Sequence, residues 1–168
     1  MKTQPIATIL IGLTTSLFAL EDTPNNRAKL ADRLMQSFPL QDFWAPAQRK
    51  LDASPRNQRE FIVALLRHMD WNAVGQAVRR SVIEIYTANE IQALIDAYAS
   101  PVGRSILRKG GLNLSAEESS AARRFFGTPI GQSIKRKSQI FNSRMQPILK
   151  NELAKAAIKL SDEYKDTQ

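Results

Sequence analysis

Residues 87–109 read TANEIQALIDAYASPVGRSILRK, and residues 115–137 read SAEESSAARRFFGTPIGQSIKRK; the two stretches align without a gap. Nine of the 23 pairs are identical: Ala88/Ala116, Glu90/Glu118, Ala93/Ala121, Pro101/Pro129, Gly103/Gly131, Ser105/Ser133, Ile106/Ile134, Arg108/Arg136 and Lys109/Lys137. Thr87/Ser115, Tyr98/Phe126, Ser100/Thr128 and Val102/Ile130 differ conservatively. Each copy begins with a capping box, Thr87 with Glu90 and Ser115 with Glu118. In such a box the hydroxyl accepts from an orphan N–H of the first turn, and the carboxylate accepts from the cap residue's own N–H. The helix so opened reaches an aromatic, Tyr98 or Phe126. Ser100-Pro101 or Thr128-Pro129 then supplies a new cap and a first-turn proline. The pattern predicts two helix–corner–helix units. Gly103 and Gly131 fall in the first turn of each second helix, where glycine costs about 1 kcal/mol relative to alanine, so a close backbone approach is expected there. We expect the two corners to pack near one another about a pseudo-twofold axis. Two copies are too few for a solenoid, which takes three or more repeats.

The segment from Tyr86-Thr87 to Arg104, with Glu90, Leu94-Ile95, Tyr98 and Ser100-Pro101-Val102-Gly103, resembles the signature of a bacterial secreted family known as domain of unknown function 2059. That signature runs Phe-Thr-x-x-Glu-Leu and then Phe-Tyr-x-Ser-Pro-x-Gly. The stretch from Phe125 to Gln132 is similar to it as well. The resemblance spans roughly Ile83 to Lys137 and implies an all-helical exported domain; it brings no catalytic residues with it.

Outward from the repeat, apolar residues recur at three to five positions rather than two, as in Phe61, Ala64, Leu65 and His68. Ser54-Pro55 and Asp70 read as further helix starts. The expected helices are Asn26–Ser37, Leu40–Leu51, Pro55–Met69, Trp71–Tyr86, Ala88–Ala99, Pro101–Lys109, Ala116–Phe126 and Pro129 to about Tyr164. The fold class is therefore all-α, a multi-helix bundle containing the duplicated unit. Its expected core is Leu30, Leu34, Phe38, Trp44, Phe61, Leu65, Val78, Ile85, Leu94, Tyr98, Ile106, Phe126, Ile134, Phe141 and Leu149. Pro147 should bend or divide the last helix, because its ring removes one hydrogen bond and crowds the preceding turn.

At the other end of the chain, Met1-Lys2 precedes the uncharged run from Pro5 to Leu20, and Glu21-Asp22 follow at once. This is the layout of a secretory signal peptide, with a cut expected after Ala19. The run is short for a bilayer span, which takes about 20 residues, and charges interrupt every later apolar stretch. Residues 1–19 are thus expected to be the signal and 20–168 one exported helical domain, periplasmic or secreted, with no transmembrane span once mature. An N-terminal anchor is the alternative.

The 168 residues carry 24 Lys or Arg against 16 Asp or Glu, a net charge of +8. Between residues 20 and 103 ten basic and ten acidic side chains balance, whereas 104–159 holds twelve basic residues against Glu117, Glu118 and Glu152. The basicity belongs to the C-terminal half, much of it on an amphipathic last helix. A cationic face made of Arg123, Arg124, Lys135, Arg136, Lys137 and Arg144 is the candidate site, suited to an envelope protein or an anionic envelope surface. The plain alternative is a solvated, solubilising face. Aromatics do not interleave with these charges, and no groove-reading motif is present, so no specific nucleic-acid partner is expected.

With no cysteine, thiolate metal sites and Cys nucleophiles are excluded, and His68 as the one histidine leaves His-dependent metal sites and triads little to work with. His68 reads as a helix-end residue on the negative pole of the dipole. Glu90 and Glu118 as a glycosidase pair are less economical than as caps. Gly110-Gly111 reads as helix-end chemistry rather than a phosphate loop, and Trp44 and Trp71 as core anchors or the lining of a partner groove. No catalytic residue, metal or cofactor is expected. A non-enzymatic binding or structural module is favoured over an envelope hydrolase with an unrecognised site, and over a self-associating protein whose corners leave an apolar groove that a homodimer closes.

Overall fold

The computed structural model describes residues 20–37, 55–109 and 113–166, so the expected signal, the helix expected over Leu40–Leu51, and Phe38, Trp44, Ser54 and Gly110-Gly111 lie outside it. The described residues form an all-α bundle without strands: α1 (Pro24–Ser37), α2 (Arg56–His68), α3 (Trp71–Ile85), α4 (Ala88–Ala99), α5 (Pro101–Lys109), α6 (Ala116–Gly127) and α7 (Pro129–Asp166). Local chemistry sets several boundaries. Asp70 caps α3 by accepting from the Ala73 N–H at 2.9 Å, while the two capping boxes open α4 and α6. Ser100 and Thr128, both extended in backbone, break the chain into corners before α5 and α7.

The core has two centres strung along α7. Around the first, Leu30, Ala31 and Leu34 of α1 meet Val82 and Tyr86, then Ala88, Ile91, Leu94 and Ile95 of α4, and Ile134 of α7. The second joins Met69 and Val74 to Met145 and Ala156, with Leu65, Trp71 and Leu149 packed on it. Val78 and Phe141 touch both centres and make them continuous. Trp71 is a core anchor, its indole N–H donating to the Leu66 carbonyl at 2.9 Å. Arg79 ties α3 to α1 through Asp32, at 2.5 and 3.0 Å.

Two expectations about the core fail. Phe61 is 55% exposed and Phe126 43%. Helical spacing marks which side chains share a stripe but not whether another element arrives to cover each position on it. Pro147 does not divide the last helix either, since α7 runs unbroken through it for 38 residues. Packing along both core centres holds that helix in one piece.

Candidate functional site

The two corners are built alike. Ser100 Oγ accepts from the Gly103 N–H at 2.9 Å and donates to the Ala97 carbonyl at 2.7 Å. Thr128 Oγ1 makes the same pair of bonds, from the Gly131 N–H at 3.1 Å and to the Phe125 carbonyl at 2.7 Å. One hydroxyl thus satisfies an orphan donor of the new helix and an acceptor of the old one. The second helix turns back so sharply that a Cβ on Gly103 would stand 2.0 Å from the Ala97 carbonyl oxygen, and one on Gly131 2.0 Å from that of Phe125. The close approach expected at these glycines is therefore to each corner's own first helix, not to the other corner.

The capping glutamates do more than cap. Glu90 accepts from the Thr87 N–H at 2.7 Å, and its two oxygens also take Ser133 Oγ and Lys137 Nζ of α7, each at 2.6 Å. Glu118 accepts from the Ser115 N–H at 2.7 Å and takes Ser105 Oγ at 2.5 Å, with Lys109 Nζ of α5 at 2.8 and 2.7 Å. Each carboxylate is buried, and each is held by the Ser and Lys of the other stretch: 87–109 supplies the partners of Glu118, and 115–137 those of Glu90. Burial pushes the Glu90 carboxyl up, yet Lys137, Ser133 and the Thr87 amide outweigh it and leave the group below its ordinary value. Lys109, Ser105 and the Ser115 amide bring Glu118 down to about 2. Both are anions in the fold, which is how buried carboxylates are tolerated.

This arrangement divides the candidate cations. Lys137 is half-buried in the Glu90 lock, and Arg144 pairs with Glu84 across to α3. Lys109 and Lys155 are also paired, with Glu118 and Glu152. Arg124 is exposed, its guanidinium on Ser120 Oγ at 2.8 Å. Arg123, Lys135 and Arg136 are exposed and carry no ion pair among the described residues, as do Arg104, Arg108, Lys150 and Lys159. Sequence reasoning counted Lys137 and Arg144 with the free cations. The alignment of 87–109 with 115–137 held the missing signal for Lys137: Ser105/Ser133 and Lys109/Lys137 are identical pairs one helical turn apart, a spacing that lets both reach one acceptor.

Beside the corners lies an apolar cavity of about 560 Å³. Its buried wall includes Leu34, Val82, Tyr86, Leu94 and Ile134, while Phe126, Lys135 and Asn142 reach solvent at its edge. Tyr86 packs on Phe141 with ring centroids 6.4 Å apart, and burial pushes its hydroxyl up to about 12. A second, smaller depression of about 320 Å³ is bordered by Gln76, Arg79, Arg80, Ile83 and Glu84.

His68 ends α2 and stands 3.3 Å from a Glu163 oxygen. Among the described residues, no cluster of His, Cys, Asp or Glu could hold a metal, and no helix is long and apolar enough to cross a membrane. No protein-family model, curated protein or solved structure matches the chain.

Proposed function

We propose that this chain is an exported, non-enzymatic binding module of the bacterial envelope, attached to anionic surface by those cations of residues 104–159 that its own carboxylates leave unpaired. The observation that carries this reading is the partition of charge just described. Lys109, Lys137, Arg144 and Lys155 are held by Glu118, Glu90, Glu84 and Glu152, while Arg123, Lys135 and Arg136 remain exposed without a carboxylate partner among the described residues, and Arg124 bonds only a serine hydroxyl. An unpaired lysine or arginine gains about 1 kcal/mol near an anionic leaflet, whereas a cation already bonded to its own carboxylate has that attraction largely cancelled. Export rests on the basic start and uncharged run of residues 1–20.

Kinship with the secreted family named above belongs to the same proposal, as does descent of residues 87–109 and 115–137 from one duplicated unit. The matching caps, corners and Glu–Ser–Lys locks support the duplication, because unrelated helices have no reason to repeat all three at one offset.

Co-sedimentation of residues 20–168 with vesicles across a salt series tests the function. Association with phosphatidylglycerol vesicles that weakens as salt rises, and its absence on neutral phosphatidylcholine, is the expected result. Equal retention on both, or none on either at low salt, would overturn it.

A further inference from the structure

We infer that the cavity between the corners and α7 is a binding site for a single-chain amphiphile with an anionic head, a long-chain carboxylate, whose tail enters the apolar wall and whose carboxylate meets Lys135. The volume of about 560 Å³ lies inside the range of roughly 300–1,000 Å³ typical of small-molecule sites. Its lining is almost wholly apolar, and no acidic side chain belongs to it among the described residues. Lys135 is the one charged residue there, exposed and without an ion pair. An apolar interior with a lone cation at its edge is the complement of a hydrocarbon chain ending in an anion. A neutral apolar molecule would leave that cation unused, and a compact polyanion would have to desolvate against leucine and phenylalanine.

Gly103 and Ser100 of the first corner contribute to the cavity's wall.

This inference does not require the vesicle-binding reading, and the two can fail separately. The probe is dodecanoate, titrated calorimetrically into residues 20–168 below its self-association concentration. Saturable binding at one site per chain is expected. Decanoate, shorter by two methylenes, should bind roughly fifteenfold more weakly if those methylenes lie in the cavity. Dodecanol should bind about tenfold or more weakly than dodecanoate, and Lys135→Glu should remove most of that preference. Ala122→Trp, which fills the cavity from α6, should abolish binding while leaving helicity by circular dichroism, and sedimentation on phosphatidylglycerol vesicles, as in the native chain. Absence of saturable binding, or equal binding by Ala122→Trp with its fold intact, would overturn the site. If Ala122→Trp does not fold, the Lys135→Glu and chain-length measurements decide: equal affinities for dodecanoate, decanoate and dodecanol would overturn it.

Discussion

At positions 103 and 131 the backbone leaves no room for a side chain. A contact of 2.0 Å between a built Cβ and a carbonyl oxygen cannot be relieved by a rotamer change, because both atoms are fixed by their helices. Gly103→Ala and Gly131→Ala should therefore each lower stability by about 3 kcal/mol or more in urea denaturation, through forced opening of the corner. Gly127 is the control, with nothing within 4 Å of its built Cβ. Gly127→Ala should be neutral or stabilising by about 0.5 kcal/mol. These glycines were legible in the sequence as positions needing a reason, since a first-turn glycine repeated at one offset is poor helix chemistry. The identity of the opposing atom was not legible, because it depends on how far the chain turns back after Ser100 and Thr128.

Among elements, the decisive contacts are those joining α4 to α7 and α6 to α5. Cap residues and corners can be read from a sequence because their partners lie within three residues, and the caps at Thr87, Ser100, Ser115 and Thr128 act in the structure as their spacing predicts. The locks could not be read so directly. Glu90 finds Ser133 and Lys137 more than forty positions away, and only the fold makes those residues neighbours. A double-mutant cycle checks the pairing: Glu90→Gln with Lys137→Met should show a coupling energy of about 1–3 kcal/mol, and Glu90→Gln with Lys109→Met less than about 0.5 kcal/mol. Comparable couplings in the two cycles would contradict the exchange of partners between the stretches. The exposed Phe61 and Phe126 teach the complementary lesson, that an apolar stripe records a helix's facing direction without recording where its neighbour ends.

For the whole molecule, the locked carboxylates predict the response to acid. Glu118, lowered to about 2 from an ordinary 4.5, stays ionised in the fold where the unfolded chain would take up a proton. A depressed carboxyl contributes its full stabilisation above the unfolded value and loses it as pH falls through the folded value. Glu90, Asp22 and Asp32 are shifted in the same direction. Urea midpoints should consequently be level near neutrality and fall steadily from about pH 4.5 towards pH 2. Glu118→Gln should start lower at pH 7 and fall less over that window; an equally steep fall would contradict the assignment of this dependence to Glu118. The same ion pairs explain why total charge was a poor guide to which cations stay unpaired. The excess of basic residues in 104–159 was plain in the sequence, but the carboxylates that take up Lys137 and Arg144 come from α4 and α3, in the half of the chain that looked neutral.

The central claim is that unpaired cations bind and paired ones hold the fold. Its most direct test is the affinity for phosphatidylglycerol vesicles of Arg123→Gln/Arg136→Gln beside Glu84→Gln/Arg144→Gln, at one moderate salt concentration. The first variant removes two unpaired charges and should bind roughly tenfold or more weakly than the native chain. The second removes a whole ion pair and should stay within about twofold. Native affinity in the first variant, or an equal loss in both, would contradict the claim.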